Sequence, residues 1–268
     1  MSRISKVFGD LERKGEGALI AYLMAGDPDP SATVAIATAI ARHADVIELG
    51  VPFSDPIADG PTIQAAAGRA LAAGMTPASI FQHIAAIRKE TDAPIVVMGY
   101  YNPILRFGVE RFMQHLAKAG GDGVIIPDLP IEEAEEVLRF AHEYELDTIF
   151  LIAPTTPEDR IAEICRYSSG FVYLVSLLGV TGARASISDG ARALIQRVVK
   201  KRPELPAAVG FGISQPEHVR ELLASGARGV IVGSAIVSII ASHKDSTEQM
   251  LAALDEYCAT LKAATKKR

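Results

Sequence analysis

The sequence predicts a closed (β/α)8 barrel, also called a TIM barrel. Three observations carry that prediction. Eight short, almost wholly apolar runs recur along the chain, as expected of strands in a parallel sheet that is covered on both faces. Longer segments with apolar residues three and four apart lie between them, which is the helical period. The length of 268 residues suits one undivided barrel domain spanning 1–268. An open doubly wound sheet is the main rival, but it seldom needs eight strands.

The elements follow in order. Residues 1–14 read as an extra N-terminal helix ahead of the first strand. Strands are expected at 18–25, 45–51, 94–100, 122–128, 147–153, 171–176, 207–212 and 229–233. Residues 31–44 predict a helix with an apolar stripe through Val34, Ala37, Ile40 and Ala41. The stretch 61–90 is long enough for two helical pieces, with Gly74 and Pro77 marking the break. Residues 131–144 read as a helix with Glu132, Glu133, Glu135 and Glu136 near its start, where the helix dipole favours negative charge. A helix over 216–227 begins after Ser214, a capping residue type, and ends at Gly226. SAIVSIIAS (234–242) reads as a short helix after the eighth strand.

Composition excludes several classes. A net charge of −5 gives no basic footprint for nucleic acid, and the terminal KKR is too short to change that. Cys165 and Cys258 fall in helix-like segments without metal-ligand spacing, as expected of reduced thiols in a cytoplasmic protein. The first residues carry charges throughout and lack the apolar core of a signal peptide. No apolar run is long enough to span a membrane.

Barrels of this kind hold their active sites at the C-terminal ends of the strands. Side chains alternate along a strand, so Val46, Glu48 and Gly50 share one face of DVIELGV, while Ile47, Leu49 and Val51 share the other. The second set is uniformly bulky and suits the helix layer. Glu48 is therefore expected to point into the barrel near its mouth. A carboxyl group there should have a raised pKa, as a general acid–base catalyst working near neutrality requires. A structural glutamate paired with a basic neighbour is the plainer alternative; the strand-end position favours catalysis. Asp59 precedes Gly60-Pro61, and proline suits the first turn of a helix. On position alone, Asp59 reads as a cap or a loop residue. Asp55-Pro56 reads as loop-shaping.

Glycine-rich turns follow the last three strands: GVTGAR (179–184), GFGIS (210–214) and VGSAIV (232–237). Glycine is an ordinary turn residue, so each is weak alone. Together, ahead of the short helix at 234, they point to a phosphate monoester held by backbone N–H groups. All six histidines fall on or beside helices. The sequence has no Cys/His metal cluster, no GxSxG elbow and no strand lysine for a Schiff base. Tyr22 and Tyr173 lie on strands, either as core or as walls for an aromatic substrate.

The run ELGVPFSDPIADGPTIQAA, with AGDP, YYNPI, PDLP, GVTGAR, GFGIS and VGSAIV, resembles the tryptophan synthase alpha chain family over essentially the whole chain. The first motif is highly specific; other phosphate-binding barrels share the glycine motifs. The resemblance implies a lyase that cleaves indole-3-glycerol phosphate to indole and glyceraldehyde 3-phosphate without a cofactor. It makes Glu48 the acid–base group and Asp59 the carboxylate that accepts the indole N–H. It makes Thr181 the residue that orders Asp59 when its loop closes. Gly182, Gly212, Gly233 and Ser234 map onto the phosphate grip, and Tyr22, Met98, Ile125 and Tyr173 onto the indole pocket.

The resemblance also implies a partner. That partner is a pyridoxal phosphate-dependent β subunit in an αββα heterotetramer, which receives indole through a tunnel. Loop 52–58, the Asn102-Pro103 turn and the Pro127–Pro130 turn match the contact regions. Two departures stand out: Leu177-Leu178 before GVTG, where some members are more polar, and Tyr22, where some have phenylalanine. A stand-alone lyase, a non-catalytic phosphate-binding barrel and another sugar-phosphate enzyme are the competing readings.

Overall fold

The computed structural model describes residues 1–175, 189–210 and 212–266. Its strands are β1 (Ala18–Met24), β2 (Val46–Gly50), β3 (Ile95–Met98), β4 (Gly123–Ile125), β5 (Asp147–Ile149), β6 (Leu151–Ile152), β7 (Val172–Val175), β8 (Ala207–Gly210) and β9 (Gly229–Val232). They form one sheet in the order β5-β4-β3-β2-β1-β9-β8-β7-β6. Every pairing is parallel.

β5 and β6 are two halves of one expected strand, interrupted at Phe150. β5 pairs with β4 and β6 pairs with β7, so a single residue joins the two ends of the sheet. The Phe150 carbonyl accepts the Tyr173 N–H at 3.0 Å, and the Thr148 carbonyl accepts the Ser169 N–H at 2.9 Å. The seam is thus hydrogen-bonded along its length, and the sheet closes as the expected TIM barrel.

The helices are α1 (Arg3–Lys14), α2 (Thr33–Ala41), α3 (Pro61–Ala72), α4 (Ile80–Glu90), α5 (Tyr101–Phe107), α6 (Val109–Ala119), α7 (Glu135–Glu143), α8 (Glu158–Tyr167), α9 (Asp189–Lys201), α10 (Pro216–Ala224), α11 (Ser234–Ser242) and α12 (Thr247–Ala263). None of the described helices is long and apolar enough to cross a membrane. Strand alternation sorts the core into two clusters. Ile47 and Leu49 pack outward with the helices, whereas Val46 packs inward with Ile20 and Val96.

α1 is the extra helix expected before β1. Ser2 caps it by accepting the Ser5 N–H at 3.2 Å, and Gly15 ends it in the left-handed region at φ 68°. Its Ile4, Phe8 and Leu11 enter the inner cluster, with Phe8 and Phe171 ring centroids 5.8 Å apart. α1 therefore plugs the end of the barrel where the strands begin. Asp122, at the start of β4, ties the same end together. Its carboxylate pairs with Arg3 and with Arg88 at 2.7 Å, and accepts the Ile95 N–H at 2.8 Å.

Three local expectations are corrected. The buried stripe of α2 runs through Thr33, Ile36, Ala37 and Ile40, with Val34 and Ala41 only partly buried. Ile36 is larger than the alternatives and takes the inward place. The segment 131–144 splits into a 3-10 turn at Ile131–Glu133 and α7, so Glu132 and Glu133 lie in that turn. Gln215 rather than Ser214 caps α10, with Pro216 in its first turn. Proline disfavours helical backbone in the residue before it, so Gln215 is extended.

Candidate active site

A cavity of about 250 Å³ opens at the C-terminal ends of the strands. β2 carries Glu48 to its floor. The side chain is 1% exposed, and its Oε2 has no hydrogen-bond partner among the described residues. Burial, and then the charge of Asp59, push its pKa up to about 8. The group is therefore largely protonated at neutral pH. Among the described residues, no ion pair reaches Glu48 or Asp59.

Asp59 meets it from the loop after β2. α3 is capped by Gly60 with no side-chain cap bond, and Pro61 takes the first turn, so the Asp59 carboxylate is free to line the cavity. Burial raises its pKa, and the nearby Tyr100 hydroxyl draws it part of the way back. The same hydroxyl accepts the Ala58 N–H at 3.0 Å.

Two tyrosines wall the cavity, each packed over a glycine on the next strand. A Cβ on Gly50 would lie 2.8 Å from Tyr22 Cζ, and a Cβ on Gly210 would lie 2.7 Å from Tyr173 Cζ. Glycine at these inward positions is what lets the phenol rings lie across the barrel mouth. Met98 stands on β3 opposite Gly50 in the register and also lines the cavity.

Gly212, Gly233 and Ser234 also line the cavity, with Gly233 packed beside Tyr22. Gly212 sits at φ 77°, a conformation that favours glycine. α11 begins at Ser234 behind Gly233 and has no side-chain cap. Its first free N–H groups and its dipole therefore face the cavity and suit an anion. The cavity thus combines a carboxyl pair, aromatic walls and a helix N-terminus suited to an anion.

The structure brings together Tyr22, Glu48, Asp59, Met98, Tyr173, Gly212, Gly233 and Ser234. It places Ile125 in the inner cluster rather than among the cavity-lining residues. Thr181, Gly182 and the Leu177-Leu178 pair lie outside the described residues. Sequence reasoning did not single out Gly60 to Ile63, Ile231 or Tyr100. Ile231 was findable by strand alternation, two residues before Gly233. The Gly60–Ile63 stretch was findable as the helix start beside Asp59. Tyr100 was findable by strand alternation too, as the last residue of the expected strand 94–100, two beyond Met98. Among the described residues, no group of three or more His, Cys, Asp and Glu side chains is placed to hold a metal ion.

Comparison with known proteins gives one answer. The family model described as tryptophan synthase alpha chain matches residues 8–266. A relative of that name from Methanosarcina acetivorans is 50% identical over 249 residues, covering 92% of this chain and 90% of its own. One from Methanosarcina barkeri is 49% identical, covering 98% of both chains. A chain of Mycobacterium tuberculosis tryptophan synthase superposes with a TM-score of 0.89 at 39% identity, covering 100% of this chain and 99% of that one. A chain of the Pyrococcus furiosus tryptophan synthase a2b2 complex, from a structural study of its mutual activation, gives 0.87 at 44% identity, covering 93% and 99%.

Proposed function

The chain belongs to the tryptophan synthase alpha chain family, and on that premise we propose that its cavity cleaves indole-3-glycerol phosphate to indole and glyceraldehyde 3-phosphate. The observation that carries this reading is the buried, largely protonated Glu48 beside Asp59, in a cavity with aromatic walls and an anion cradle. The phosphate sits at Gly212, Gly233 and Ser234, with Gly182 as a further contributor. The indole ring lies between Tyr22, Met98 and Tyr173, over a floor backed by Ile125.

Glu48 starts protonated and gives its proton to indole C3. The ring becomes cationic, and the Asp59 carboxylate stabilises it by accepting the ring N–H. Glu48, now a carboxylate, takes the proton from the hydroxyl on the carbon next to the ring. That C–O bond becomes a carbonyl, the carbon–carbon bond breaks, and its electron pair returns to the ring. Indole and the aldehyde leave, and Glu48 is again protonated. Protons and electrons balance within the substrate and one carboxyl group, so this chain uses no cofactor. Thr181 orders Asp59 when its loop closes and excludes water.

The chain acts as the α subunit of an αββα complex and passes indole to a β subunit, whose pyridoxal phosphate serves the second reaction. The a2b2 complex of the Pyrococcus relative supports this. So do apolar groups exposed at the barrel mouth: Ile57 at 82% and Leu105 at 50%. Phe53, Asn102 and Pro103 line one shallow depression there, and Pro127 to Pro130 line another.

The test is indole release from indole-3-glycerol phosphate with and without a tryptophan synthase beta chain. Activity that rises on adding the beta chain is expected, because a partner that favours the closed loop shifts the population toward it. Activity that the beta chain leaves unchanged would point to a stand-alone lyase. No indole from the folded chain under either condition would contradict the proposed reaction.

A further inference from the structure

We propose that the ion pair between Asp27 and Arg69 is a positioning device. It sets where α3 stands on the barrel and, through α3, where Asp59 stands relative to Glu48. Asp27 belongs to AGDP (25–28), in the loop after β1, and its side chain is fully buried. Arg69 lies on α3, the helix that Asp59 leads into. Its Nε donates to one Asp27 oxygen at 2.6 Å and its Nη2 to the other at 3.0 Å. In that forked geometry an arginine and a carboxylate fix direction as well as distance. Neither residue lines the cavity.

α3 has little else to hold its register. Its buried residues are Ala66, Ala67 and Ala70, with Ile63 partly buried near its start. The next helix, α4, buries Ile80, Phe81, Ile84 and Ile87. Alanines bury little apolar area and form no knobs, so a helix resting on them slides at small cost. α3 also begins without a side-chain cap. The surface it meets is smooth as well. A Cβ on Gly26, beside Asp27, would lie 3.2 Å from the Cβ of Ala70, beside Arg69. A buried ionic pair on such a face specifies register, the role for which buried pairs are best attested.

Hydrogen bonds lead from each end of the pair to one of the two carboxyl groups of the site. On the Asp27 side, the Ala25 N–H is accepted by the Gly50 carbonyl at 3.0 Å, and Gly50 ends the strand that carries Glu48. The Gly26 N–H is accepted by Thr33 Oγ1 at 2.9 Å, which fixes the same loop to α2. On the Arg69 side, Gln64 of α3 donates its side-chain N–H to the Asp59 carbonyl at 2.8 Å. The Gly60 carbonyl accepts the Ile63 and Gln64 N–H groups, each at 3.0 Å. Asp59 is thus tied to the first turn of α3. A displacement of about 1 Å in such a group is enough to cost on the order of 10²-fold in rate.

The experiment is the double variant Asp27→Val/Arg69→Met, which removes both charges and strands neither. The first readout needs no substrate: crystal structures of parent and variant are superposed on β1 and β2. α3 and Asp59 are expected to move by about 1 Å or more against Glu48. The second readout is kinetic and rests on the reaction proposed above. kcat for indole release should fall roughly tenfold or more with KM nearly unchanged, because the anion-binding residues sit on other elements. Asp59→Asn should then cost much less in the double variant than in the parent, as coupled neighbours do. Arg69→Lys keeps the charge and loses the fork. It should fold as the parent does, with a smaller shift of α3 and a smaller loss of kcat.

An unmoved α3, or a kcat that falls only with the folded fraction, would overturn the inference. A parent that releases no indole would instead overturn the proposed reaction, and an Asp59→Asn variant that turns over normally would overturn the role of Asp59. The superposition still decides the placement of α3 in both cases. A double variant that does not fold leaves Arg69→Lys to decide, with an unmoved α3 again counting against.

Discussion

Glu48 combines three properties that seldom occur together: full burial, an unpartnered oxygen and a pKa raised to about 8. An unfolded chain would return it to the ordinary value of 4.5. The folded state thus holds the proton more tightly than the unfolded state. Its contribution to stability is intact below about pH 4.5 and is lost as pH rises toward about 8. Glu48→Gln cannot ionise, so it should gain stability over the parent across that window, by on the order of a few kcal/mol at the top. Thermal denaturation of both proteins at pH 5 and pH 8.5 measures this; an equal difference at both would contradict the raised pKa. Asp59→Asn should lower kcat by about 10²-fold, as when one electrostatic stabiliser is removed. Steady-state rates of indole release check it. At this scale Glu48 was legible because strand alternation fixes the direction of a side chain. Asp59 was not legible from position, where capping was the simpler reading, and its place depended on the resemblance. Tyr100 was missed although it ends the expected strand 94–100, two residues beyond Met98 on the same strand face.

The strands and helices set the shape of the cavity through pairs of large and small residues. Tyr22 over Gly50 and Tyr173 over Gly210 repeat one device on two sides of the barrel. Gly50→Ala would put a methyl group within 2.8 Å of Tyr22 Cζ and force the ring toward the cavity. The expected cost is about 1–3 kcal/mol of stability, by chemical denaturation, with a higher KM for substrate. A neutral effect on both would show that Tyr22 is free to move. Element positions were legible where a period was clear. The break at Gly74 and Pro77 separates α3 from α4, and the 234–242 helix has the expected ends. The split at Phe150 was not legible, because an apolar run carries no mark of where its pairing changes sides. The cap of α10 was misplaced because serine is the better capping type in general, while Pro216 dictated the backbone of its neighbour.

At the scale of the molecule, the barrel separates chemistry from stability along its axis. The strand C-terminal end holds the carboxyl pair and the anion cradle; the other end is plugged by α1 and tied by Asp122. Asp122→Ala would leave the Ile95 N–H without its partner and Arg88 without its carboxylate, while Arg88 keeps the Gly120, Thr91 and Ala93 carbonyls. The expected loss is about 1–3 kcal/mol of stability, with kcat/KM of the remaining folded protein unchanged. A fall in kcat/KM at full folding would show that the two ends are coupled. The closed barrel itself was legible from eight apolar runs, since a covered parallel sheet needs little more than continuous strands and amphipathic helices between them.

The most direct measurement of the central claim is a single-turnover assay of indole release from indole-3-glycerol phosphate by the parent and by Glu48→Gln. It is paired with calorimetric binding of the same substrate to each. The account predicts indole from the parent, none above background from Glu48→Gln, and similar affinity for both, because the glutamine keeps the shape of the cavity and lacks only the proton. Indole release by Glu48→Gln at a rate near that of the parent would contradict Glu48 as the proton carrier.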